Sequence, residues 1–199
     1  MPSIQFQQSP KICVARGDML GDVVVTTSAV KQIKAHFPGA TIYFLTKANY
    51  HPLIEDLPFV EGVIEDPLPY TITQSDWGAV RALAQRIQEF QFDCFIGFWE
   101  APQYAWLSWL ARIPVRIGHA ASFNNRLLYT HAVKLDYRNF LIHKVEYNES
   151  LIHQLGIPKV TQSLFLDKKE AVFTHLQTQH KFSDPPIIIN LDAGILQRV

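Results

Sequence analysis

The sequence predicts an α/β fold, a parallel β-sheet with helices on both faces. Three observations carry that prediction. Near the amino terminus, Lys11 to Thr46 reads as one βαβ unit, an apolar run, a glycine-punctuated turn, a helix-spaced segment and a second apolar run. Beyond it, short β-rich apolar runs keep alternating with helical stretches, the order expected of a parallel sheet. Glycine and proline stand at the joints, as at Pro38-Gly39, Pro58, Pro114 and Gly156.

Ile12 to Ala15 is the first strand. The turn Gly17-Asp18-Met19-Leu20-Gly21-Asp22 follows it. A helix comes next, with Val23, Thr26, Val30, Ile33 and Phe37 at helical spacing, until Pro38-Gly39 stops it. Thr41 to Leu45 is the second strand. In open α/β sheets such a turn lies at the carboxyl ends of the strands, where ligands bind. The helix that starts there presents unpaired N–H groups and partial positive charge.

Asn49 to Leu57 is expected as a short helix and Val60 to Ile64 as a third strand. Asp66 to Ser75 is a loop. Asp76 is placed to cap a helix from Trp77 to Phe90, whose inner face is Val80, Leu83, Ala84 and Ile87. Phe92 to Phe98 is a strongly apolar strand, Gln103 to Ala111 an aromatic-rich helix, and Val115 to Ile117 a strand ended by Gly118. His143 to Leu155 reads as a helix stopped by Gly156 and Pro158. Asp167 to Glu170 has capping-box spacing and opens a helix to about Thr178. Lys181 to Pro186 is a polar linker and Ile187 to Leu191 a strand. The expected organisation is therefore one domain over 1–180, then the linker and first strand of a second α/β domain over 181–199, cut off soon after it begins.

Lys and Arg number 18, as do Asp and Glu, so the formal net charge is zero, which argues against a globally basic nucleic-acid binder. Cys13 and Cys94 each lie in an apolar run and read as buried reduced thiols of a cytosolic protein. No Cys and His spacing suggests a zinc site. The first ten residues lack the pattern of a signal peptide, and no apolar run approaches the ~20 residues that span a bilayer. A cytoplasmic protein is expected, with membrane contact at most peripheral. One stretch is locally biased: Arg112, Arg116, Arg126, Lys134, Arg138 and Lys144, with His119, His131 and His143, share the interval with a single carboxylate, Asp136. It reads either as a solvated rim or as a cleft wall facing an anionic substrate.

Arg16 and Gly21-Asp22 ahead of Val23 to Phe37 resemble the amino-terminal signature of the family 9 glycosyltransferases, the lipopolysaccharide heptosyltransferases. Asp56-Leu57-Pro58, Asp93 before a strand, Arg116-Ile117-Gly118, His143 with Glu146, and Leu155-Gly156-Ile157 continue the likeness in order over nearly the whole chain. The resemblance implies a GT-B fold, two Rossmann-like domains across a cleft, of which this chain is the amino-terminal, acceptor-binding half. It implies inverting transfer of a heptose-type sugar from a nucleotide-sugar, ADP-heptose, to a lipid-linked or core oligosaccharide acceptor, with no metal and no cofactor. Asp22 matches the family's catalytic aspartate, and Asn190 and Gly194 fall where the donor would bind. The family's remaining nucleotide-binding residues lie past Val199, so this length alone is expected to be inactive. Asp18, Gly97-Phe98-Trp99 and Asn190 to Gly194 depart from the family's usual residues.

Inverting transfer needs a base for the acceptor hydroxyl, and a carboxylate within reach can serve. Asp22 is the candidate; its bland alternative is a helix N-cap. Gly21 before it lets a substrate approach the backbone. Asp18 is a second carboxylate of the turn, read as solvent-facing, although two such groups could raise one another's pKa. Arg16 either binds an acceptor anion or pairs with Asp18 or Asp22. Arg116, Arg126 and Lys144 are weaker acceptor contacts, and His143 at a helix start reads as a cap or as simply exposed. Trp99, Tyr104, Trp106 and Trp109 read as core aromatics before sugar-stacking ones. A dinucleotide-dependent oxidoreductase fits poorly. The turn lacks G-x-G-x-x-G, and Thr46-Lys47 stands where a ribose-binding acid would end the second strand. A non-catalytic glycan- or partner-binding module of the same fold is the other reading.

Overall fold

The computed structural model describes residues 4, 6, 9–135 and 142–159. In chain order the elements are β1 (Lys11–Ala15), α1 (Leu20–His36), β2 (Thr41–Thr46), α2 (His51–Ile54), β3 (Gly62–Glu65), α3 (Trp77–Gln88), β4 (Cys94–Gly97), α4 (Pro102–Leu110), β5 (Val115–His119), α5 (Phe123–Leu128), β6 (His131–Val133) and α6 (Lys144–Ile152). The six strands form one sheet in the order β3-β2-β1-β4-β5-β6, and every pairing is parallel. The predicted class, a Rossmann-like parallel sheet with helices on both faces, is the one found.

Two-residue alternation along the strands explains why both faces are covered. Ile12 and Val14 of β1 point to one face, where α1, α2 and α6 bring Val30, Ile33, Ile54, Leu151 and Ile152. Cys13 and Ala15 point to the other, where α3, α4 and α5 bring Val80, Ile87, Leu107 and Leu128. Cys13 and Cys94 are buried and free, and burial pushes both thiols far up from their ordinary pKa.

Several boundaries differ from the sequence reading. The first helix opens at Leu20, three residues before Val23, so Gly21 and Asp22 belong to its first turn. Its N-cap is Met19, which makes no side-chain cap, and the cap reading of Asp22 is corrected accordingly. Asp76 does not cap α3 with its side chain; it closes a capping box with Thr73 around a single 3₁₀ turn, Gln74–Asp76. Gly118 lies inside β5 instead of ending it, because Tyr129 packs across the glycine where a Cβ would sit 2.2 Å from its ring. The short elements α5 and β6 were not anticipated at all. His143 is the N-cap of α6, its Nδ1 accepting from the Val145 amide, with Glu146 completing the box. The expected elements beyond Lys159, and the boundary between 1–180 and 181–199, lie outside the described residues.

Candidate functional site

Strand β1 is the middle of the topology. The chain leaves it toward β2 on one side and returns to β4 on the other. That reversal opens a crevice beyond the carboxyl ends of β1 and β4, where α/β sheets hold ligands. A cavity of about 60 Å³ occupies this place. Arg16 and Asp18 after β1, Phe98, Trp99 and Glu100 after β4, His119 at the end of β5, and Lys144, Tyr147 and Asn148 of α6 form its wall.

Arg16 is the hub. Its side chain is buried, with the residue 6% exposed. Nε donates to Asp18 Oδ1 at 2.6 Å and Nη2 to Asp18 Oδ2 at 2.7 Å, a two-pronged pair. Nη2 also pairs with Asp22 Oδ1 at 2.9 Å. Nη1 donates to the carbonyl of Phe98, stitching β1 to β4. The ion-pair alternative for Arg16 thus describes its resting state, with both carboxylates taken at once. Asp18 is correspondingly not the solvent-facing turn residue expected, since its side chain is 14% exposed. Burial raises its pKa, the charge and hydrogen bonds of Arg16 pull it back, and Asp22 adds a smaller upward push. Tyr50 and Tyr70 both donate to the Asp18 carbonyl, at 3.1 and 2.9 Å, and fix the turn from the side of β2 and the following loop.

His119 is 2% exposed, and its Nε2 donates to the Phe98 carbonyl at 3.1 Å. Burial outweighs that bond and brings its pKa down to about 4, so the ring is neutral at pH 7. On the far wall, Asn148 donates to Thr26 at 3.3 Å and joins α6 to α1.

A second polar group stands behind the turn. Lys47 Nζ pairs with buried Asp66 at 3.0 Å and donates to the Leu68 carbonyl. Tyr104 donates to the same carboxylate at 2.7 Å. Gly17 faces this trio; a Cβ there would lie 2.6 Å from the Tyr104 hydroxyl and 2.9 Å from Asp66. The close approach that favours glycine is therefore at Gly17, while Gly21 faces open space.

Of the residues singled out from sequence, Arg16, Asp18 and Lys144 line the cavity and Asp22 adjoins it through Arg16. Gly21 is exposed on the first turn of α1. Arg116 lies elsewhere, its guanidinium bonded to the carbonyls of Leu128 and Ile113, and Arg126 is exposed on α5. Asn190 and Gly194 lie outside the described residues. Of the aromatics, Trp99 reaches the cavity, Tyr104 is buried, Trp106 packs edge-on against Trp77, and Trp109 is 47% exposed. Sequence reasoning missed the Lys47–Asp66–Tyr104 group and named His119 only within the basic stretch read as a rim or a cleft wall. The available signal was position, since Lys47, Asp66 and His119 all stand at or just past a strand's carboxyl end.

No model of a known protein family matches the chain. A Haemophilus influenzae protein described as "Putative glycosyltransferase" is 29% identical over 168 residues, 81% of this chain and 47% of that protein. A family 9 glycosyl transferase of Veillonella parvula superposes with a TM-score of 0.74 at 19% identity, covering 90% of this chain and 52% of that one. The described part of this chain has the fold of one half of a GT-B structure. The E. coli ADP-heptose lipopolysaccharide heptosyltransferase II matches at TM-score 0.67 and 20% identity, over 87% of this chain and 51% of its own. The E. coli heptosyltransferase WaaC, solved with ADP, matches at 0.61 and 20%, over 77% and 50%. The resemblance read from the sequence is to these proteins, and the chain spans about half the length of each.

Proposed function

We propose that the chain is the acceptor-binding half of an inverting glycosyltransferase, one that moves a heptose-type sugar from ADP-heptose to a lipopolysaccharide core acceptor at the cytoplasmic face of a membrane. The observation that carries this reading is the arrangement at the β1/β4 crevice. Two carboxylates share one buried guanidinium beside a cavity walled by Lys144 and Trp99. The curated likeness is to a glycosyltransferase, and the structural neighbours were solved as heptosyltransferases, one with ADP and one with an ADP-sugar analogue.

In the proposed reaction the acceptor hydroxyl oxygen attacks the anomeric carbon from the side opposite the leaving nucleoside diphosphate. The new C–O bond forms as the old one breaks, inverting the centre. The hydroxyl proton goes to Asp22. Its Oδ1 is held by Arg16, which leaves Oδ2 to receive the proton. Gly21 leaves open space beside it for a sugar. Asp18, with both oxygens on Arg16, is the orienting partner and not the base. Trp99 offers a ring face and Lys144 a cation to the acceptor.

The donor half is expected to come from sequence beyond this length, and the present chain alone should bind acceptor without turning over donor. The experiment is acceptor binding by this chain, then release of ADP from ADP-heptose by a chain extended to the relatives' length, with and without Asp22→Ala. Loss of about 10³-fold or more in turnover with binding retained supports the assignment. Undiminished turnover removes Asp22 from the mechanism. Binding with no turnover in the extended chain points instead to a glycan-binding module.

A further inference from the structure

Arg116, expected at the acceptor, stands toward the other end of the sheet. It is the second residue of β5, three residues and so ~10 Å before His119, which reaches the crevice. It shares a cleft of about 460 Å³ with Trp109 and Leu110 at the end of α4 and with Arg112 just past it. Clefts of roughly 300 to 1,000 Å³ are the size that holds small molecules. We propose that this cleft is a second ligand site, one that takes a nucleotide, its phosphate on Arg112 and Arg116 and its base on the Trp109 ring.

The two guanidiniums carry charge that the fold does not use up. Arg116 is half-buried, its Nε donating to the Leu128 carbonyl at 2.8 Å and its Nη1 to that of Ile113 at 2.5 Å. Those bonds fix the guanidinium plane and leave Nη2 without a partner among the described residues. No carboxylate of the described residues pairs with it, and burial lowers its pKa. Arg112 is exposed, and its side chain makes no bond among the described residues. Capping α4 is not its task, because the backbone amides of Ala111, Ile113 and Arg112 itself already take the carbonyls of Leu107, Ser108 and Trp109. Acids are absent from the surrounding chain. There is no Asp or Glu from Ala101 to Leu135, and Asp93, just before β4, is bonded to the Lys11 amide at 2.8 Å. Two guanidiniums lining one cleft repel each other until an anion lies between them, and a phosphate offers oxygens to both.

The indole selects the rest of the ligand. Trp109 is 47% exposed. Its ring packs edge-on with that of Trp106, 5.8 Å between centroids, and Trp106 packs edge-on with Trp77 at 5.4 Å. An aromatic kept half in water by two others is a preformed platform with little rotamer freedom left to lose. Stacking a base on such a ring is worth about tenfold or more in affinity. A sugar phosphate would satisfy the arginines and leave the indole unused. The cleft shares no residue with the crevice, so binding there needs neither Asp22 nor Lys144.

The test titrates the 199-residue chain with AMP, ribose 5-phosphate and inorganic phosphate while NMR follows the four indole N–H signals, each assigned by changing one tryptophan to Phe. The expected result is a shift at Trp109, a dissociation constant for AMP on the order of 1 mM or tighter, and affinity about tenfold lower for ribose 5-phosphate. Trp109→Ala should bring AMP down to the ribose 5-phosphate value. Arg112→Gln should weaken all three ligands by about threefold or more. Both positions are exposed, so both variants should keep the wild-type melting temperature. Shifts confined to Trp99 would put the nucleotide in the crevice and overturn the proposal. So would AMP binding no tighter than ribose 5-phosphate, unchanged AMP affinity in the two variants, or no shift at Trp109 with AMP at about 10 mM. The readout uses no acceptor and no turnover, so it stands or falls separately from the transferase reading.

Discussion

Replacing Arg16 by Met tests whether its guanidinium holds the crevice together. The substitution keeps most of the stem volume and removes the charge. Two carboxylates then face each other across the vacated place, at side-chain exposures of 14% for Asp18 and 22% for Asp22. Breaking a buried pair costs about 3–5 kcal/mol. These oxygens keep some access to water, and the Phe98 carbonyl keeps its bond from His119. The lower end, about 3 kcal/mol, is therefore expected. In urea that corresponds to a midpoint lower by roughly 1.5 M. All four tryptophans lie between residues 77 and 109, so their fluorescence reports on the sheet domain. The loss must also depend on pH. Arg16 is what pulls the Asp18 pKa down against burial. Without it the folded-state pKa rises further above the unfolded 3.8. A group raised in this way contributes its stability below the unfolded pKa and loses it as pH climbs through the folded value. Arg16→Met should therefore be worse at pH 8 than at pH 5, and adding Asp18→Asn should return a large part of the loss. A variant within about 1 kcal/mol of wild type at pH 8, or a loss that Asp18→Asn leaves unchanged, refutes the reasoning.

Gly17→Ala should cost about 1–3 kcal/mol in thermal or urea unfolding, because its Cβ meets Tyr104 and Asp66 within 2.9 Å. Gly21→Ala, in the open first turn of α1, should instead be neutral or stabilise by up to about 1 kcal/mol. Lys47→Met leaves the Asp66 carboxylate, 2% exposed, without its cation and should cost about 3 kcal/mol or more, with much of it recovered when Asp66→Asn is added. His119 has its pKa lowered to about 4 by burial, so the unfolded chain binds more protons there and stability contributed by this residue falls as pH drops from about 6.5 to 4. The difference between wild type and His119→Gln across that window should amount to at most about 3 kcal/mol, and an NMR titration of the ring should show no protonation above pH 6.

The large elements were legible because their periods are long enough to read. Helix α1 repeats its apolar face over 17 residues, and β1 and β4 are apolar runs buried on both faces past Lys11. Helix α5 and strand β6 have six and three residues, less than two turns and less than two full alternations, so no period could show. The start of α1 was misplaced for a different reason. Gly21 reads as a turn residue, and Met19 carries no side-chain acceptor to announce a cap. For the site, sequence found the residues adjacent in the chain, Arg16, Asp18 and Asp22. Of those the fold brings from afar it named Lys144 and Trp99 and missed the pairing of Lys47 with Asp66. Lys47 was read only as the absence of a ribose-binding acid, whereas the fold sets it against Asp66, 19 residues on.

The same separation shapes how the site can work. Arg16 has five N–H donors. Two go to Asp18, the one nearest Asp22 pairs with it, and Nη1 serves the Phe98 carbonyl. At most one remains to face the cavity, so Arg16 cannot clamp an incoming anion with two prongs while both carboxylates stay in place. At rest it holds two carboxylates beside each other, and its charge and hydrogen bonds pull the Asp18 pKa down against burial. On the proposed reading, recognition of an anionic acceptor falls to a cation other than Arg16, and among the described residues Lys144 stands on the cavity wall. It arrives on α6, from the opposite end of the described chain. On the proposed reading the base and the anion-binding cation sit on different helices, α1 and α6, which are joined through Thr26 and Asn148. Changes to the acceptor could follow from substitutions on α6 with the Arg16 cluster left intact.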